Sequence, residues 1–322
     1  MKVRCNARCL VGLLVGIGLL YCAFRDVPPE GILVSLMQMR FSGLVLALFL
    51  YSVDLSLRSL RWWCLLTNIG AIEKHEVGEA LMVGYAFNNL LPARLGELAR
   101  ADYLHQRIGF GRARILGTIV LERLFDGMCV TLMLAAGCIL VDRPKTSNGP
   151  TDGWSAILHG AAIAAGSFSI LALGVIMLPR LAERLSTLFP GAVRHAVLAL
   201  AASISAFRLT TGIVALNIGI WVSEAAVFRV IAYSVGAHLT VPGTLLLTGA
   251  ASLSTLIPTA PGYVGSYQYV FAVCMPILGI PAAFGIVAAT VIQIFLFGAV
   301  TVIGLTIYVK RNITVKGDHV RG

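Results

Sequence analysis

The chain of 322 residues is 58% hydrophobic and only 12% charged, with a mean hydropathy of +0.87. Soluble domains carry about 25% charged residues, so this composition excludes an ordinary soluble protein and predicts an integral membrane protein. The net charge of +10 comes from basic residues dispersed over connecting segments, without a basic stripe or a recognition motif, which argues against nucleic-acid binding.

Six apolar segments are predicted to span the membrane, and they are residues 10–24, 43–66, 115–141, 155–178, 212–235 and 282–309. A spanning helix needs about 20 mostly apolar residues, a length that most of these segments reach. The first segment follows a basic N-terminus, as in a signal peptide, but no small-residue cleavage site follows it. We therefore expect an uncleaved first helix, followed by a polar segment, residues 25–40, on the outside.

The second predicted span carries three charged residues on one helical face. Asp54, Arg58 and Arg61 are spaced at i, i+4 and i+7, which places them on the same side of a helix. One interpretation is a buried structural pair of Asp54 and Arg58, with Arg61 extended to the cytoplasmic membrane surface. The other is that these residues support a polar pocket, and the sequence leaves both interpretations open.

A short apolar segment, residues 80–91, follows a charged loop at 73–79 and is too short to cross the membrane. It contains Asn89 near its end and is stopped by Pro92, after which the basic segment 94–114 returns to the cytoplasm. Irregular backbone inside a membrane is tolerated only where protein or a water-filled cavity covers it. The pattern therefore predicts a re-entrant helix pair that turns back within the membrane.

A second short segment, residues 242–257, has the same character. It runs into a turn of small and helix-breaking residues, which are Pro258, Pro261, Gly262 and Gly265. Glycine permits unusual backbone angles and close approach, and proline withholds a backbone donor and stops a helix. The chain continues through an apolar segment at 267–278, so we predict a second re-entrant pair, whose turn either lines a substrate pocket or is only a tight structural turn.

Ionisable residues are concentrated around the first turn and in the third predicted span, and they are Arg94, Glu97, Arg100, Glu122, Arg123 and Asp126. Such a residue costs roughly 2.5–3.5 kcal/mol at the centre of a membrane helix, so it usually faces a partner or a wet cavity. The arginine forks suit a phosphate group, and the carboxylates can hold the arginines or bind a cationic headgroup or a proton. Alternatively, the charges only neutralise one another and fasten the turn to the third span.

The distribution of basic residues predicts the orientation of the chain. Segments predicted to be cytoplasmic hold 17 of the 25 Lys and Arg residues, and segments predicted to lie outside hold four. This bias follows the positive-inside rule and predicts that both termini are cytoplasmic. With this orientation, the first re-entrant pair enters from the cytoplasm and the second enters from outside.

We expect a single integral membrane domain that is built as an inverted repeat. Its two halves, about 43–141 and 212–309, each contain a span, a re-entrant pair and a second span, with opposite orientation. An amphipathic cytoplasmic connector at 179–211 joins them and is expected to lie on the lipid headgroups. Inverted repeats with broken helices are typical of transporters whose substrate sites lie near the middle of the membrane.

Two weak sequence similarities accompany the repeat. The motif Leu-Pro-x3-Gly at residues 91–96 matches Ile-Pro-x3-Gly at 257–262. The charged pair of the second span also has a rough counterpart in the fifth span, Glu224 and Arg229. We assign both charged pairs a supporting role around the predicted pocket.

The side chains that usually bind metals or perform covalent catalysis show no characteristic arrangement. Seven cysteines and six histidines form neither a CxxC pair nor a Cys/His ligand spacing. The sequence also lacks a P-loop, a dinucleotide-binding glycine pattern after a strand, and a nucleophile elbow. We predict no metal, no cofactor and no catalytic residue.

Three motifs in this order resemble the membrane region of the lysylphosphatidylglycerol synthase/flippase family. They are Asn-x-Leu-Pro-x-Arg-x-Gly-Glu-x-x-Arg at 89–100, Glu-Arg-x-x-Asp at 122–126 and Pro-x-x-Pro-Gly-x-x-Gly at 258–265. The resemblance spans roughly residues 40–310. It implies a polytopic inner-membrane protein that moves or handles polar lipids, since relatives are linked to aminoacylated phosphatidylglycerol, hopanoids and polyprenyl-phosphate sugar carriers. Few residues follow Val309, so we do not expect the soluble aminoacyl-transfer domain of the synthases or the synthesis of a lysyl-lipid.

Three functions remain in competition at this point. The leading hypothesis is a lipid flippase, in which a charged pocket faces each leaflet in turn; its partner is a phospholipid, a hopanoid or a polyprenyl-phosphate lipid. The rival is a membrane transferase acting on a polyprenyl-phosphate-linked substrate with Glu97 or Asp126 as base, although an Asp-rich metal motif is missing. The third is a non-catalytic partner of envelope lipid enzymes, and a homo-oligomer is compatible with each of them.

Overall fold

A computed structural model describes residues 7–91, 95–141, 151–187, 191–205, 211–256 and 259–321. Within these ranges all regular secondary structure is helical. The α-helices, α1 to α13 in chain order, are Ala7–Phe24, Pro29–Met37, Phe41–Leu66, Lys74–Leu90, Gly96–Ile108, Arg112–Leu140, Thr151–Ser186, Gly191–Ser205, Thr211–Ser234, Val241–Ser254, Ser266–Ile277, Ala282–Val291 and Gly298–Arg321. A 3₁₀ turn at Pro261–Tyr263 precedes α11, and a π-helical segment at Ile292–Phe297 joins α12 to α13.

Five helical segments of the described ranges are long and apolar enough to cross a bilayer. They are Phe41–Leu66, Arg112–Leu140, Leu158–Val175, Thr211–Ser234 and Ala282–Arg311. Val11–Phe24 and Pro29–Met37 form a pair bent by 86°, which brings the number to six if the pair is one span. The prediction of an all-helical, polytopic membrane protein with about six spans is confirmed. Two shorter helix pairs, α4–α5 and α10–α11, occupy the segments predicted to be re-entrant.

The polar segment expected at residues 25–40 contains a helix, α2, that the sequence pattern did not indicate. Ser35 of this helix is buried and donates a hydrogen bond to the carbonyl of Val235 at 3.2 Å. The helix also packs against α12. A helix of nine residues is too short to be stable alone, so these tertiary contacts determine its formation.

The prediction of a charged loop at 73–79 is wrong, because α4 begins at Lys74. Glu79 accepts hydrogen bonds from Arg311 Nη2 at 2.6 Å and from the Tyr103 hydroxyl at 3.0 Å. These partners hold the charged turns in helical conformation against α5 and α13. The polar composition of the segment therefore reflects a specific contact surface and not a solvated loop.

The predicted connector at 179–211 contains more helix than the sequence indicated. Helix α7 continues through Pro179 to Ser186, and α8 follows within the same segment. Residues 188–190 and 206–210 lie outside the described part of the chain. The position of the connector on the lipid headgroups stays a prediction.

The helices group into two units. The first unit consists of Met1–Leu55, Asp126–Ser169 and Ile218–Leu296, and the second of Ser56–Phe125, Ile170–Asn217 and Phe297–Gly322. In the first unit α11 packs against α1, α10 and α12, and in the second unit α4 packs against α5 and α13. Each predicted re-entrant pair therefore lies within one unit, whereas α3, α6, α7 and α9 contribute to both. The inverted relation of the halves 43–141 and 212–309 within a single domain stays a prediction.

The second unit is built around an apolar core that joins α3, α4, α5 and α6. Its largest buried members include Trp62, Leu66, Leu81, Leu104 and Ile115. Helix α5 ends at Gly109, whose φ of +71° provides the left-handed conformation that terminates a helix. The core thereby fixes the four helices that carry most of the charged residues singled out above.

Candidate functional site

A carboxylate that is inaccessible to solvent lies within the second unit. The side chain of Glu122, on α6, is 0% exposed, and that of Arg100, on α5, is 2% exposed. Arg100 donates hydrogen bonds to both carboxylate oxygens, from Nη2 to Oε2 at 2.5 Å and from Nη1 to Oε1 at 3.3 Å. Two such hydrogen bonds define both distance and orientation, so this pair fixes α5 to α6.

Two further arginines contact the same carboxylate. Arg123, the next residue of α6, donates from Nη2 to Oε1 of Glu122 at 2.8 Å. Nη2 of Arg61, on α3, lies 3.6 Å from that oxygen. Three guanidinium groups therefore converge on one buried carboxyl group, which supplies the counter-charge that buried cations require.

The interpretation that Arg61 extends to the membrane surface is wrong. Its side chain is 0% exposed and donates a hydrogen bond to the amide oxygen of Asn217. The amide nitrogen of Asn217 in turn lies 3.4 Å from the carbonyl oxygen of Phe125. A carboxylate and an oriented amide inside the unit provide the polar surroundings that the membrane surface was expected to provide.

Arg100 also stacks on an aromatic ring. Its Cζ atom lies 3.5 Å from the centroid of the buried Trp62 ring, and a desolvated cation–π contact contributes about 2 kcal/mol. The indole Nε1 of Trp62 donates to the Thr118 hydroxyl at 3.0 Å, and this hydroxyl donates to the carbonyl of Ile115 at 2.7 Å. Trp62 and Thr118 therefore hold the guanidinium in the orientation that its bidentate contact requires.

Close packing between α4 and α5 brings Arg100 to this position. A Cβ atom at Gly96 would lie 2.1 Å from the carbonyl oxygen of Gly84, and a Cβ at Gly84 would lie 2.8 Å from Cβ of Arg100. Any larger residue at Gly96 would collide with backbone, so the glycine permits the two helices to approach. The predicted first re-entrant pair is thus a tightly packed helical hairpin.

One edge of the charged group is accessible to solvent. Both side chains of the Arg123–Glu97 ion pair are 25% exposed, although Nε of Arg123, which lies 3.2 Å from Oε1 of Glu97, is itself buried. Glu97 is in the first turn of α5, where the helix dipole favours a negative charge. We call Arg61, Glu97, Arg100, Glu122 and Arg123 the arginine–carboxylate cluster, and the Arg123–Glu97 pair its accessible edge.

The composition of the cluster suits the recognition of an anion. Arginine remains charged at any physiological pH and presents planar donors that match phosphate or carboxylate oxygens. Arg61 and Arg100 are already engaged in buried contacts, so an external anion reaches Arg123 first.

Several predicted site residues lie elsewhere or cannot be located. Arg94 and Pro258 are outside the described residues. Asp126 is buried on α6, one turn beyond Arg123. Asn89, near the end of α4, donates hydrogen bonds to the carbonyl of Phe297 at 3.2 Å and to Thr301 Oγ1 at 3.0 Å, so it ties α4 to α13 and is not engaged with the cluster.

The charged residues assigned a supporting role have different environments. Asp54 is buried in the first unit and accepts a hydrogen bond from the Ser223 hydroxyl at 3.1 Å. Arg58 is also buried, on the next turn of α3. On α9, Glu224 is partly buried and Arg229 is exposed, so the predicted similarity between the two charged pairs does not extend to their burial.

The turn before α11 is held by two glutamines that the sequence analysis missed. The backbone N–H of Gly265 donates to Gln268 Oε1 at 2.9 Å. Gln268 donates to Gln293 Oε1 at 2.5 Å, and Gln293 donates to the carbonyl of Gly262 at 3.0 Å. Gly262 and Gly265 have φ of +70° and +93°, values that glycine adopts at little cost.

The same turn carries a strained residue and a change of helix type. Tyr263, between Pro261 and Gly265, has a φ of +60°, the one non-glycine residue of the described chain with a positive φ. Gln293 belongs to the π-helical segment Ile292–Phe297. Both features occur frequently at functional sites, so the turn is a second, separate candidate region within the first unit.

A polar contact group around Glu79 joins α4, α5 and α13. Burial raises the pKa of the Glu79 carboxyl, but the hydrogen bonds from Arg311 and Tyr103 outweigh this effect and hold that pKa below its usual range. Burial and the hydrogen bond to Glu79 raise the pKa of Tyr103 to about 12. The group is therefore an ionised carboxylate with fixed donors, which suits a structural tie.

Metal-binding side chains do not cluster in the described part of the chain. No group of three or more His, Cys, Asp or Glu side chains there has the proximity that would hold a metal ion. The arginine-rich composition of the cluster is likewise unsuited to a cation, since guanidinium groups would repel it.

Comparison with known proteins gives the cluster its context. Residues 9–304 match the family described as the lysylphosphatidylglycerol synthase transmembrane region. The chain is 24% identical over 295 residues to a protein of Haloferax volcanii named glycosyltransferase AglD, an alignment that covers 80% of this chain and 47% of the relative. The chain thus spans about half the length of this curated relative. No solved structure matches the chain.

Proposed function

The chain belongs to the family of the lysylphosphatidylglycerol synthase transmembrane region, and from this membership we propose that it is a flippase-like transporter of a polar, phosphate-bearing lipid. The observation that carries the proposal is the convergence of Arg61, Arg100 and Arg123 on Glu122 in a multi-pass membrane protein. Charges of this kind inside membrane helices generally mark a path for a polar substrate.

The physical requirement for lipid movement explains the composition of the cluster. A lipid phosphate that crosses the hydrocarbon layer must exchange its water for other polar contacts, because an unsolvated charge there is very costly. Arg123 offers a guanidinium at the accessible edge, and Leu95 cannot cap the first turn of α5 with its side chain. The N–H groups of a first turn that has no side-chain cap are suited to bind an anion.

In this proposal a charged pocket near the middle of the membrane opens to each leaflet in turn. The inverted repeat predicted from the sequence supports such a mechanism, since its two halves are suited to equivalent movements in opposite directions. The protein then lies in the cytoplasmic membrane with both termini in the cytoplasm. Its substrate is a phospholipid, a hopanoid or a polyprenyl-phosphate lipid.

Reconstitution into liposomes tests the proposal. Phosphatidylglycerol with a fluorescent NBD headgroup or chain label is placed in both leaflets, and dithionite then quenches the label in the outer leaflet. We expect rapid transbilayer movement with the native protein and a decrease of about tenfold or more in R123Q, because a hydrogen bond to a charged group contributes about 1.5–3 kcal/mol. The matched control is R112Q, which removes an exposed arginine paired with Asp102 and should retain the native rate.

The proposal fails if R123Q inserts normally and moves the lipid as fast as R112Q does. It also fails if liposomes with the native protein show no more lipid movement than protein-free liposomes for any phosphate-bearing lipid tested. Size-exclusion profiles of both variants before reconstitution establish that they are folded.

A membrane transferase is the second candidate, and the name of the relative, glycosyltransferase AglD, favours its inclusion. In this alternative, Glu97 or Asp126 removes the proton from an acceptor hydroxyl, which attacks the sugar carbon of a polyprenyl-phosphate sugar and releases polyprenyl phosphate. Mass spectrometry of the same liposomes, loaded with such a donor and a lipid acceptor, distinguishes the candidates. A glycosylated acceptor without lipid movement favours the transferase. If neither a glycosylated acceptor nor lipid movement is observed, the protein is a non-catalytic partner of envelope enzymes.

A further inference from the structure

We propose that Glu97 is a competing anion built into the site, whose carboxylate occupies Arg123 in the resting state and is displaced when a phosphate group binds. This inference rests on the proposed function, because it assumes that a phosphate-bearing ligand reaches the cluster. The exchange takes place at the accessible edge, where a carboxylate oxygen of Glu97 lies 3.2 Å from Nε of Arg123.

Burial separates the exchangeable contact from the permanent ones. Arg61 and Glu122 are 0% exposed, and Arg100 is 2% exposed, so separating them would leave charges without solvent. Arg123 and Glu97 are each 25% exposed, so water can solvate both of them when their contact opens. An incoming anion therefore exchanges with Glu97 and not with Glu122.

The geometry lets Arg123 change one partner while it keeps the other. Its Nη2 atom donates to Glu122 at 2.8 Å, whereas Nε, a buried atom, lies 3.2 Å from Glu97 in an ion pair that lacks hydrogen-bond geometry. Glu122 therefore anchors the guanidinium, and the Glu97 side of the fork becomes available for a phosphate oxygen. Glu97 lies on α5 and Arg123 on α6, so displacement also removes one connection between these helices.

Competition of this kind has a use in a transporter. A cluster that bound phosphate without competition would hold its ligand, and release would limit the cycle. When the Glu97 carboxylate returns to Arg123, it lowers the affinity of the cluster for the phosphate group and assists release of the ligand. Since an exposed ion pair is weak, its removal should tighten ligand binding by roughly two- to fivefold.

Calorimetric titration of the full-length protein in detergent tests this inference. One probe is dihexanoyl phosphatidic acid, a soluble lipid with a phosphate headgroup, and the other is inorganic phosphate. We expect E97Q to bind phosphatidic acid about two- to fivefold tighter than the native protein, and R123Q to bind it more weakly. The matched control is D102N on the same helix, which breaks the exposed Asp102–Arg112 ion pair and should leave the affinity unchanged.

The two probes separate the sources of the ligand. Tighter binding of phosphatidic acid alone indicates a lipid headgroup, whereas tighter binding of both probes indicates that the phosphate group suffices, and either result supports the competition. E97A serves as a second variant in case the amide of E97Q forms a new hydrogen bond with Arg123. Thermal unfolding in the same detergent verifies that each variant is folded.

Two further outcomes overturn the inference, and they differ in what they leave standing. If E97Q and E97A bind the probes no tighter than the native protein while R123Q weakens binding, Glu97 orients Arg123 instead of competing, and the proposed function is unaffected. If neither the native protein nor any variant binds either probe, the competing role and the phosphate-bearing substrate fail together.

Discussion

Glu122 and the arginines around it raise the question of why such costly side chains occur in this chain. A buried ion pair can often be replaced by apolar residues of similar volume without loss of stability, because desolvation consumes most of the Coulomb energy. Apolar residues could therefore fill the positions of Arg61, Arg100 and Glu122 in many folds. Under the proposed function, these buried contacts anchor Arg123, which would meet the ligand at the accessible edge.

Breaking the group from one side should nevertheless destabilise the protein strongly. We expect E122Q to lower the free energy of unfolding by about 3–5 kcal/mol, because Arg61 and Arg100 would lose the negative charge that compensates them. D102N is the matched control, since it removes a carboxylate that is 44% exposed and should cost at most about 1 kcal/mol. Thermal and denaturant unfolding in detergent measure both, and equal stability of the two variants would contradict the prediction.

Among the individual residues of the arginine–carboxylate cluster, those that lie near one another along the chain could be predicted from the sequence. Glu97 and Arg100 follow the Pro92 turn, and Glu122 and Arg123 interrupt an apolar span, so their position alone was informative. Arg61 was misjudged, because a position near the end of a span is equally typical of an arginine at the membrane surface. Its contact with Asn217 joins residues 156 positions apart, which no local pattern indicates.

The second candidate region is the turn before α11. The conformation of this turn is restricted by its close contact with α1. A Cβ atom at Gly265 would lie 2.1 Å from the carbonyl oxygen of Gly16, and a Cβ at Gly16 would lie 3.0 Å from that of Val264. The first helix therefore packs directly against the turn within the first unit. Its contribution to the fold exceeds that of a simple membrane anchor.

Two glycine substitutions test this close approach. Gly265 and Gly279 both have positive φ, +93° and +74°, but a Cβ at Gly279 meets no atom within 4 Å. We expect G279A to destabilise by about 1–2 kcal/mol, the cost of an L-residue in the left-handed region. G265A should be far more damaging, because its Cβ would collide with α1 and its ψ of −50° lies outside that region. Yield of folded protein and melting temperature in detergent measure the difference, and comparable effects would show that α1 does not restrict the turn.

Elements were predictable from the sequence where apolar length or proline defined them. The long spans and both short helix pairs occur where expected, since hydrophobic length and helix breakers are local properties. Helix α2 and the first turns of α4 were missed because Val235 and Arg311, distant in sequence, stabilise polar segments. The π-helical segment was equally unpredictable, as Gln293 is recognisable only through its contact with Gly262.

For the whole molecule, the grouping into two units bears on how a transporter of this kind would work. Each unit contains one short helix pair, α4–α5 in the second and α10–α11 in the first. Each pair is tied to its own unit by polar contacts. Asn89 of α4 binds Thr301 in the second unit, and Gln268 of α11 binds Gln293 in the first unit. Under the proposed function, two pairs that are each held within their own unit are compatible with alternating exposure to the two leaflets.

The orientation of the whole chain determines from which side of the membrane each short helix pair enters, and it can be tested directly. The 17-to-4 bias of basic residues toward segments 67–114, 179–211 and both termini predicts a cytoplasmic N- and C-terminus and an external segment at 142–154. In a bacterial host, green fluorescent protein fused after residue 322 should therefore fluoresce, and alkaline phosphatase inserted at 142–150 should be active. The reciprocal fusions are the controls, and they should be dark and inactive, because green fluorescent protein does not mature outside and alkaline phosphatase needs oxidised cysteines. An active phosphatase at residue 322 would place the two short helix pairs on the sides opposite to those predicted. Signals from both reporters at both positions would indicate a mixed orientation.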